Sequence, residues 1–278
     1  MIESLSLLKC ENLTNIILGY IAKYCQKLKN LAFGGHPINY NTNLTMEGIE
    51  LLCQSNIKLE GMRVEYCSRL GEKSLELVLK RFGDSLKELH IIRNCFEKCS
   101  KITDKFIQNL SYAPKLENIS LVFMRSFGDR FHINLANSLH NLKVLNIREC
   151  PIQEDFTVLC EGCPQLEEVN MSGDSWVKCL TIKGLSKHKK LRILHLGHLE
   201  HAEGHCDKGL GEFPPKGMYV ESIFQDQNAF MNLRQLYLEQ ICGLTYWLDV
   251  RIKALRPSLE IKYTLFDRTV SLSQFIKA

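Results

Sequence analysis

Residues Ile102 to Leu121 read ITDKFIQNLSYAPKLENISL and hold one complete structural period. Ile102 is an apolar lead, and Thr103 or Asp104 can accept a hydrogen bond from an orphan backbone N–H at the start of a helix. Phe106, Ile107 and Leu110 follow at helical spacing and make one apolar stripe. Pro114 stops that helix, since it has no N–H and its ring clashes with the preceding turn. From Leu116 the pattern is L-x-x-I-x-L, with Ile119 and Leu121 alternating as in a half-buried strand. One short helix and one short strand cannot bury their own apolar faces. The unit therefore needs copies of itself on both sides.

The copies are present. Strand anchors fall at Ile2, Leu28, Leu59, Leu86, Leu116, Leu142, Leu166, Leu191 and Leu233, each followed by apolar residues three and five places on. A tenth anchor, Leu259, fits less well because Ile261 comes one place early. Successive offsets are 26, 31, 27, 30, 26, 24, 25, 42 and 26 residues. Most lie in or just beside the range of roughly 20–29 residues expected of leucine-rich repeats. Helical patterns lie between the anchors, at Leu13–Tyr24, Met46–Leu52, Leu75–Leu79, Phe131–Leu139, Phe156–Leu159 and Leu244–Leu255. Alternating strands and helices make neighbouring strands parallel, joined by helical crossovers. The expected fold is α/β: a solenoid of nine to ten repeats, with a curved parallel sheet on the concave side and helices on the convex side. We expect a single domain over 1–278, with 197–232 as an inserted loop and 259–278 as an irregular last repeat or cap.

Composition agrees with a soluble repeat array. The chain has 278 residues, 45% hydrophobic and 24% charged, with a net charge of +4. The basic excess is spread out, so nothing points to nucleic acid or an anionic membrane as partner. No apolar run is long enough to span a bilayer. The first residues, MIESLSLLKCENL, carry an acid and no basic segment, which argues against a secretory signal. Twelve cysteines without such a signal imply reduced thiols in the cytoplasm or nucleus. The sequons at Asn12, Asn43, Asn118 and Asn170 are then chance, the last two falling within or beside packed strands.

The repeats carry cysteines at set places. Cys10, Cys67 and Cys150 lie eight residues after an anchor, Cys95 and Cys242 nine after, and Cys25 and Cys163 three before the next. The string CPQLEEVNM at 163–171, with the ITD of 102–104, resembles the cysteine-containing leucine-rich repeats of F-box/LRR proteins. The resemblance covers essentially the whole chain. It departs where His36, Asn94, Met124, Asp174 and Leu199 take the first cysteine slot, as in a divergent member. It implies the substrate-recognition part of a ubiquitin-ligase subunit, with ligase components among the partners. With the first strand at Ile2, no F-box is expected ahead of the repeats, and Leu5 and Leu7 are left for another segment or chain to cover.

Two places break the period. Gly34 to Thr42 is a short loop, and the longer break between Leu196 and Leu233 is rich in Gly and Pro, with a helical pattern over 220–230. Loops of that length on a compact array are often functional. This second break holds His198, His201, His205 and Cys206, just after His195, and imidazole and thiolate together suit zinc. The spacing matches no structural zinc motif, so a polar, solvated loop is the preferred reading and no metal or cofactor is expected. Cys160-x-x-Cys163 has redox spacing, yet Cys163 holds a repeat position and Cys160 follows an apolar helix stripe, as buried structural thiols do. Cys95-x3-Cys99 ends a strand and is read the same way. No G-x-S-x-G elbow, phosphate loop or H-E-x-x-H occurs, so no enzyme activity is expected.

The concave face is the candidate site. Between the last two apolar places of each strand one side chain points outward. That row reads Ser6, Ala32, Arg63, His90, Ser120, Asn146, Asn170, His195 and Tyr237. Tyr66, Arg93 and Arg148 lie just beyond the strand ends. Arginine and tyrosine are common interface hot spots, and solenoids use extended concave surfaces for binding. Arg63, Tyr66, His90, Arg93, Arg148, His195 and Tyr237 are therefore the expected contacts to a protein partner. The alternative is a structural scaffold subunit inside a large assembly.

Overall fold

The computed structural model describes residues 2–92, 102–124, 126–150, 155–173, 177, 179–197, 218–239 and 245–264. Among the described residues ten strands form one parallel sheet whose spatial order is the chain order. They are β1 (Ser4–Leu7), β2 (Asn30–Gly34), β3 (Gly61–Glu65), β4 (Glu88–Ile92), β5 (Asn118–Val122), β6 (Val144–Asn146), β7 (Glu168–Met171), β8 (Ile193–Leu196), β9 (Gln235–Glu239) and β10 (Glu260–Thr264). Helices α1 (Asn15–Tyr24), α2 (Met46–Cys53), α3 (Glu72–Phe82), α4 (Asp104–Asn109), α5 (Phe131–Ser138), α6 (Thr157–Gly162), α7 (Cys179–Ser186), α8 (Met218–Gln225) and α9 (Thr245–Leu255) connect them.

In the opening stretch, Thr103 caps α4 and its hydroxyl accepts from Lys105 N. The helix tightens into a 3-10 turn at Leu110–Tyr112 before Pro114, and β5 follows. The same helix start is tied to the repeat before it: a Glu72 carboxylate oxygen accepts from Thr103 N at 2.9 Å and from its hydroxyl at 2.7 Å. It is tied to the repeat after it as well, since Asp104 accepts from Gly128 N at 2.9 Å.

Two inward rows of side chains run along the sheet and close the core against the helices. One is Leu31, Met62, Leu89, Ile119, Leu145, Val169, Leu194 and Leu236, all in Cα register and all buried. The helices answer with phenylalanines: Phe82, Phe106, Phe131, Phe156 and Phe224 are fully buried. Burying each such side chain contributes about 2–3 kcal/mol relative to leaving it in water. The tenth repeat joins the array despite its short segment. Ile261 pairs with Leu236 and Tyr263 with Leu238, so β10 is in register although its segment is one residue short.

Strand ends are built alike. Lys9, Tyr66, Phe123 and Glu149, each seven residues after an anchor, have φ of 60°, 48°, 62° and 59°, and Gly173 takes the same place at 105°. This left-handed residue turns the chain off the sheet at a cost of about 1 kcal/mol for a non-glycine. The cysteine that follows donates to a carbonyl: Cys67 Sγ to Glu65 O at 3.3 Å, and Cys150 Sγ to Leu121 O at 2.9 Å. The loop after β2 is equally organised. Asn41 is fully buried, donates to the carbonyls of Cys10, Glu11 and Leu13, and accepts from Asn43 N and Leu44 N.

Candidate functional site

Register places Ser6, Ala32, Arg63, His90, Ser120, Asn146, Asn170, His195 and Tyr237 side by side across the sheet. Lys262 extends the row to a tenth strand. It was hidden in the sequence because the short tenth segment shifts the count by one, although the Ile261–Tyr263 alternation marks it.

The row is not evenly open to solvent. Ser120, Asn146, Asn170 and His195 are buried. Neighbouring strands lie only about 4.8 Å apart, and short side chains in such a row sink between longer ones. Their polar atoms turn back on the chain: Asn146 Oδ1 accepts from Arg148 N at 3.2 Å, and Asn170 Oδ1 from Ser172 N at 3.0 Å. Each carboxamide oxygen thus replaces a ladder partner just past its strand.

Half-buried groups flank this floor on both sides, with the buried His195 at the inner edge of the second flank. On one flank Arg63 pairs with Glu65 on its own strand, and His90 Nδ1 meets Ser120 Oγ at 2.9 Å. Tyr66 lies beside them, 6.1 Å from the Tyr40 ring, and its phenol is pushed up to about 12 by burial and by the Glu65 charge. It is a neutral hydrogen-bonding group at neutral pH. On the other flank His195 and Tyr237 stack at 4.1 Å with 10° between their planes. Lys262 Nζ sits 5.3 Å from the Tyr237 ring centre, and Glu168 approaches His195 Nε2 at 3.5 Å. Arg148 stands beyond the floor. Its Nη2 is 3.9 Å from Glu239 Oε1, while Glu239 Oε2 accepts from Gly173 N at 2.6 Å.

Six of the seven expected contact residues thus share one face, Arg63, Tyr66 and His90 on one flank and His195 and Tyr237 on the other, with Arg148 beyond the floor. Arg93, and the histidine-rich set His198, His201, His205 and Cys206, lie outside the described residues. Among the described residues no group of three or more His, Cys, Asp or Glu could hold a metal ion. The thiols of Cys160 and Cys163 diverge: the first contacts Gly184 O at 3.7 Å and the second Leu135 O at 4.0 Å. Burial pushes the Cys163 thiol up to about 12, which favours the protonated form at neutral pH. No helix among the described residues is long and apolar enough to cross a membrane.

A second feature runs along the opposite margin, where the strands begin. The residue after each anchor alternates in charge: Glu3, Lys29, Glu60, Lys87, Glu117, Lys143, Glu167, Arg192. Each acid pairs with the base on the next strand, at 2.9 Å for Glu3–Lys29, 2.7 Å for Glu60–Lys87 and Glu117–Lys143, and 3.4 Å for Glu167–Arg192. The backbone fixes the column, because each of these carbonyls accepts two N–H groups from the following strand. Sequence reasoning could have found it by aligning the residue after each anchor.

Parallel strands in chain order, inward leucine rows and crossover helices define a leucine-rich-repeat solenoid, with ten strands among the described residues. A leucine-rich-repeat protein from Legionella pneumophila, LegL7, is similar in structure, with a TM-score of 0.52 at 11% identity, over 95% of this chain and 82% of that one. A chain of the yeast Rad7 and Elc1 complex aligns over 99% of this chain and 82% of its own at 15% identity, but its TM-score of 0.40 is too low to carry weight. No protein-family model matches the sequence.

Proposed function

We propose that this chain is a non-catalytic protein-interaction module that grips a protein partner with its concave face. The observation that carries the reading is the paired flanks: Arg63, Tyr66 and His90 on one side, His195, Tyr237 and Lys262 on the other, across a floor of short side chains. Rigid aromatic and guanidinium groups held around a nearly dry centre are what interface hot spots require. In this reading Arg148 is a further contact at the end of the floor.

The repeat cysteines favour a finer version, in which the array recognises substrates for a ubiquitin ligase in the cytoplasm or nucleus and ligase components are among its partners. The test is affinity purification from the native cell with the wild type and with Arg63→Ala, Arg148→Ala and Tyr237→Ala combined. The partner should be recovered with the first and lost with the second, while thermal unfolding is preserved. Retention of the partner by the triple variant would remove the concave assignment. Recovery without ligase components would remove the finer version alone.

One observation supports a second reading, as a scaffold subunit. Ile16, Tyr20 and Tyr24 form an i, i+4, i+8 stripe on α1 and are 64%, 55% and 66% exposed, with Ile2 beside the first strand 52% exposed. A neighbouring subunit would cover such a stripe. A chain that stays monomeric at high concentration without binding an apolar dye would count against it.

A further inference from the structure

The alternating column stops at its ninth place. Arg234 follows Arg192, so two cations stand on adjacent strands about 4.8 Å apart in backbone spacing. In the short tenth segment the acid after the anchor, Glu260, aligns with Gln235 instead of Arg234 and so does not close the series. Nearby carboxylates are already engaged: Glu167 with Arg192, Glu168 with His195, and Glu260 with Lys262 at 3.1 Å and Gln235 at 2.8 Å. Among the described residues none pairs with Arg234, which is exposed.

A groove of about 890 Å³ runs along this same margin across β6 to β10. Its floor includes Val144 and Ile193. They belong to the row Ser4, Asn30, Gly61, Glu88, Asn118, Val144, Glu168, Ile193, Gln235, Glu260, in which they are the two apolar side chains. Met231, 59% exposed, stands at the rim. The break in the charge series and the two apolar exceptions are separate features of the sequence, and they meet in one place.

We infer that this groove is a second docking surface, taking an extended segment of a protein partner in which apolar and acidic side chains alternate. The apolar side chains rest on Val144 and Ile193, and a carboxylate completes the charge series between Arg192 and Arg234. Arginine suits that task because its planar fork meets a carboxylate with two hydrogen bonds. The inference rests on the reading of the chain as a protein-binding array and adds the chemistry of one partner segment.

The test uses a fluorescein-labelled hexapeptide of alternating leucine and glutamate, measured by fluorescence anisotropy at low salt against the full chain. Arg234→Glu should weaken binding at least tenfold, while leaving thermal stability unchanged or raised, because it restores alternation. Lys87→Glu makes the same charge change elsewhere in the column. It should leave binding within twofold and lower stability, by creating a run of three acids. A leucine–lysine hexapeptide should not bind. Failure of the wild type to bind at millimolar peptide, or equal weakening by the two variants, overturns the inference. If the concave triple variant abolishes binding and Arg234→Glu does not, the peptide sits in the arc. The groove assignment then falls while the protein-binding reading stands.

Discussion

At the scale of single residues, two buried polar side chains hold segments that apolar packing cannot. Asn41 makes five hydrogen bonds to backbone groups of two repeats, and no other side chain offers both donors and an acceptor in that shape. Asn41→Ala strands several buried carbonyl and N–H groups and should cost about 4 kcal/mol, read by urea unfolding. Asn41→Asp should do no better, since a carboxylate cannot donate to the Cys10, Glu11 and Leu13 carbonyls. His188 works on the same principle with a titrating ring. Its Nε2–H donates to Cys163 O at 2.9 Å and its Nδ1 accepts from Lys190 N at 3.3 Å, which requires the neutral form. Burial accordingly holds its pKa below the ordinary 6.5. Above that pH both folded and unfolded chains carry neutral imidazole, and the contribution is complete. As pH falls below it the unfolded chain takes up the proton first, so stability is lost. Urea midpoints at pH 7.5 and 5.5 should therefore differ in the wild type and converge in His188→Gln. An unchanged difference would place the titration elsewhere.

At the scale of elements, strands begin beside a charged residue and β1, β3, β5, β6 and β7 leave through a left-handed one, and the two features were unequally legible in sequence. The strands and their inward rows could be read directly, because a leucine three or five places after an anchor has the same meaning in every copy. The charge column was equally available. The closeness of strand exits was not, because it depends on how one repeat's turn lies over the next. Gly34 shows this: it has φ of 152°, and a Cβ there would lie 2.0 Å from Glu65 O on the following strand. In sequence it is one of two adjacent glycines in a loop. In the fold it lets β2 leave the sheet against the backbone of β3. Gly34→Ala should destabilise by more than about 2 kcal/mol, through both strain and displacement of β3. Calorimetry showing a near-neutral change would mean that the exit relaxes freely.

At the scale of the whole molecule, the sequence foretold a sheet with one open face, and it could not foretell how that face divides. Whether Asn146 is a ligand-facing amide or a brace for its own strand depends on bonds two residues along the chain and on the side chains of the next strands. Neither leaves a mark in composition or period. Stacking itself was predictable, and it has a mechanical consequence. A repeat that touches only its neighbours shares its stability with them alone. Leu145 is fully buried in the inward row between Ile119 and Val169. Leu145→Ala should cost about 3 kcal/mol. In native-state hydrogen exchange the loss should appear in β5, β6 and β7, leaving amides of β2 and β3 near wild-type protection. Acceleration spread evenly from β2 to β9 would show instead that the ten units open as one body, which the nearest-neighbour stack forbids.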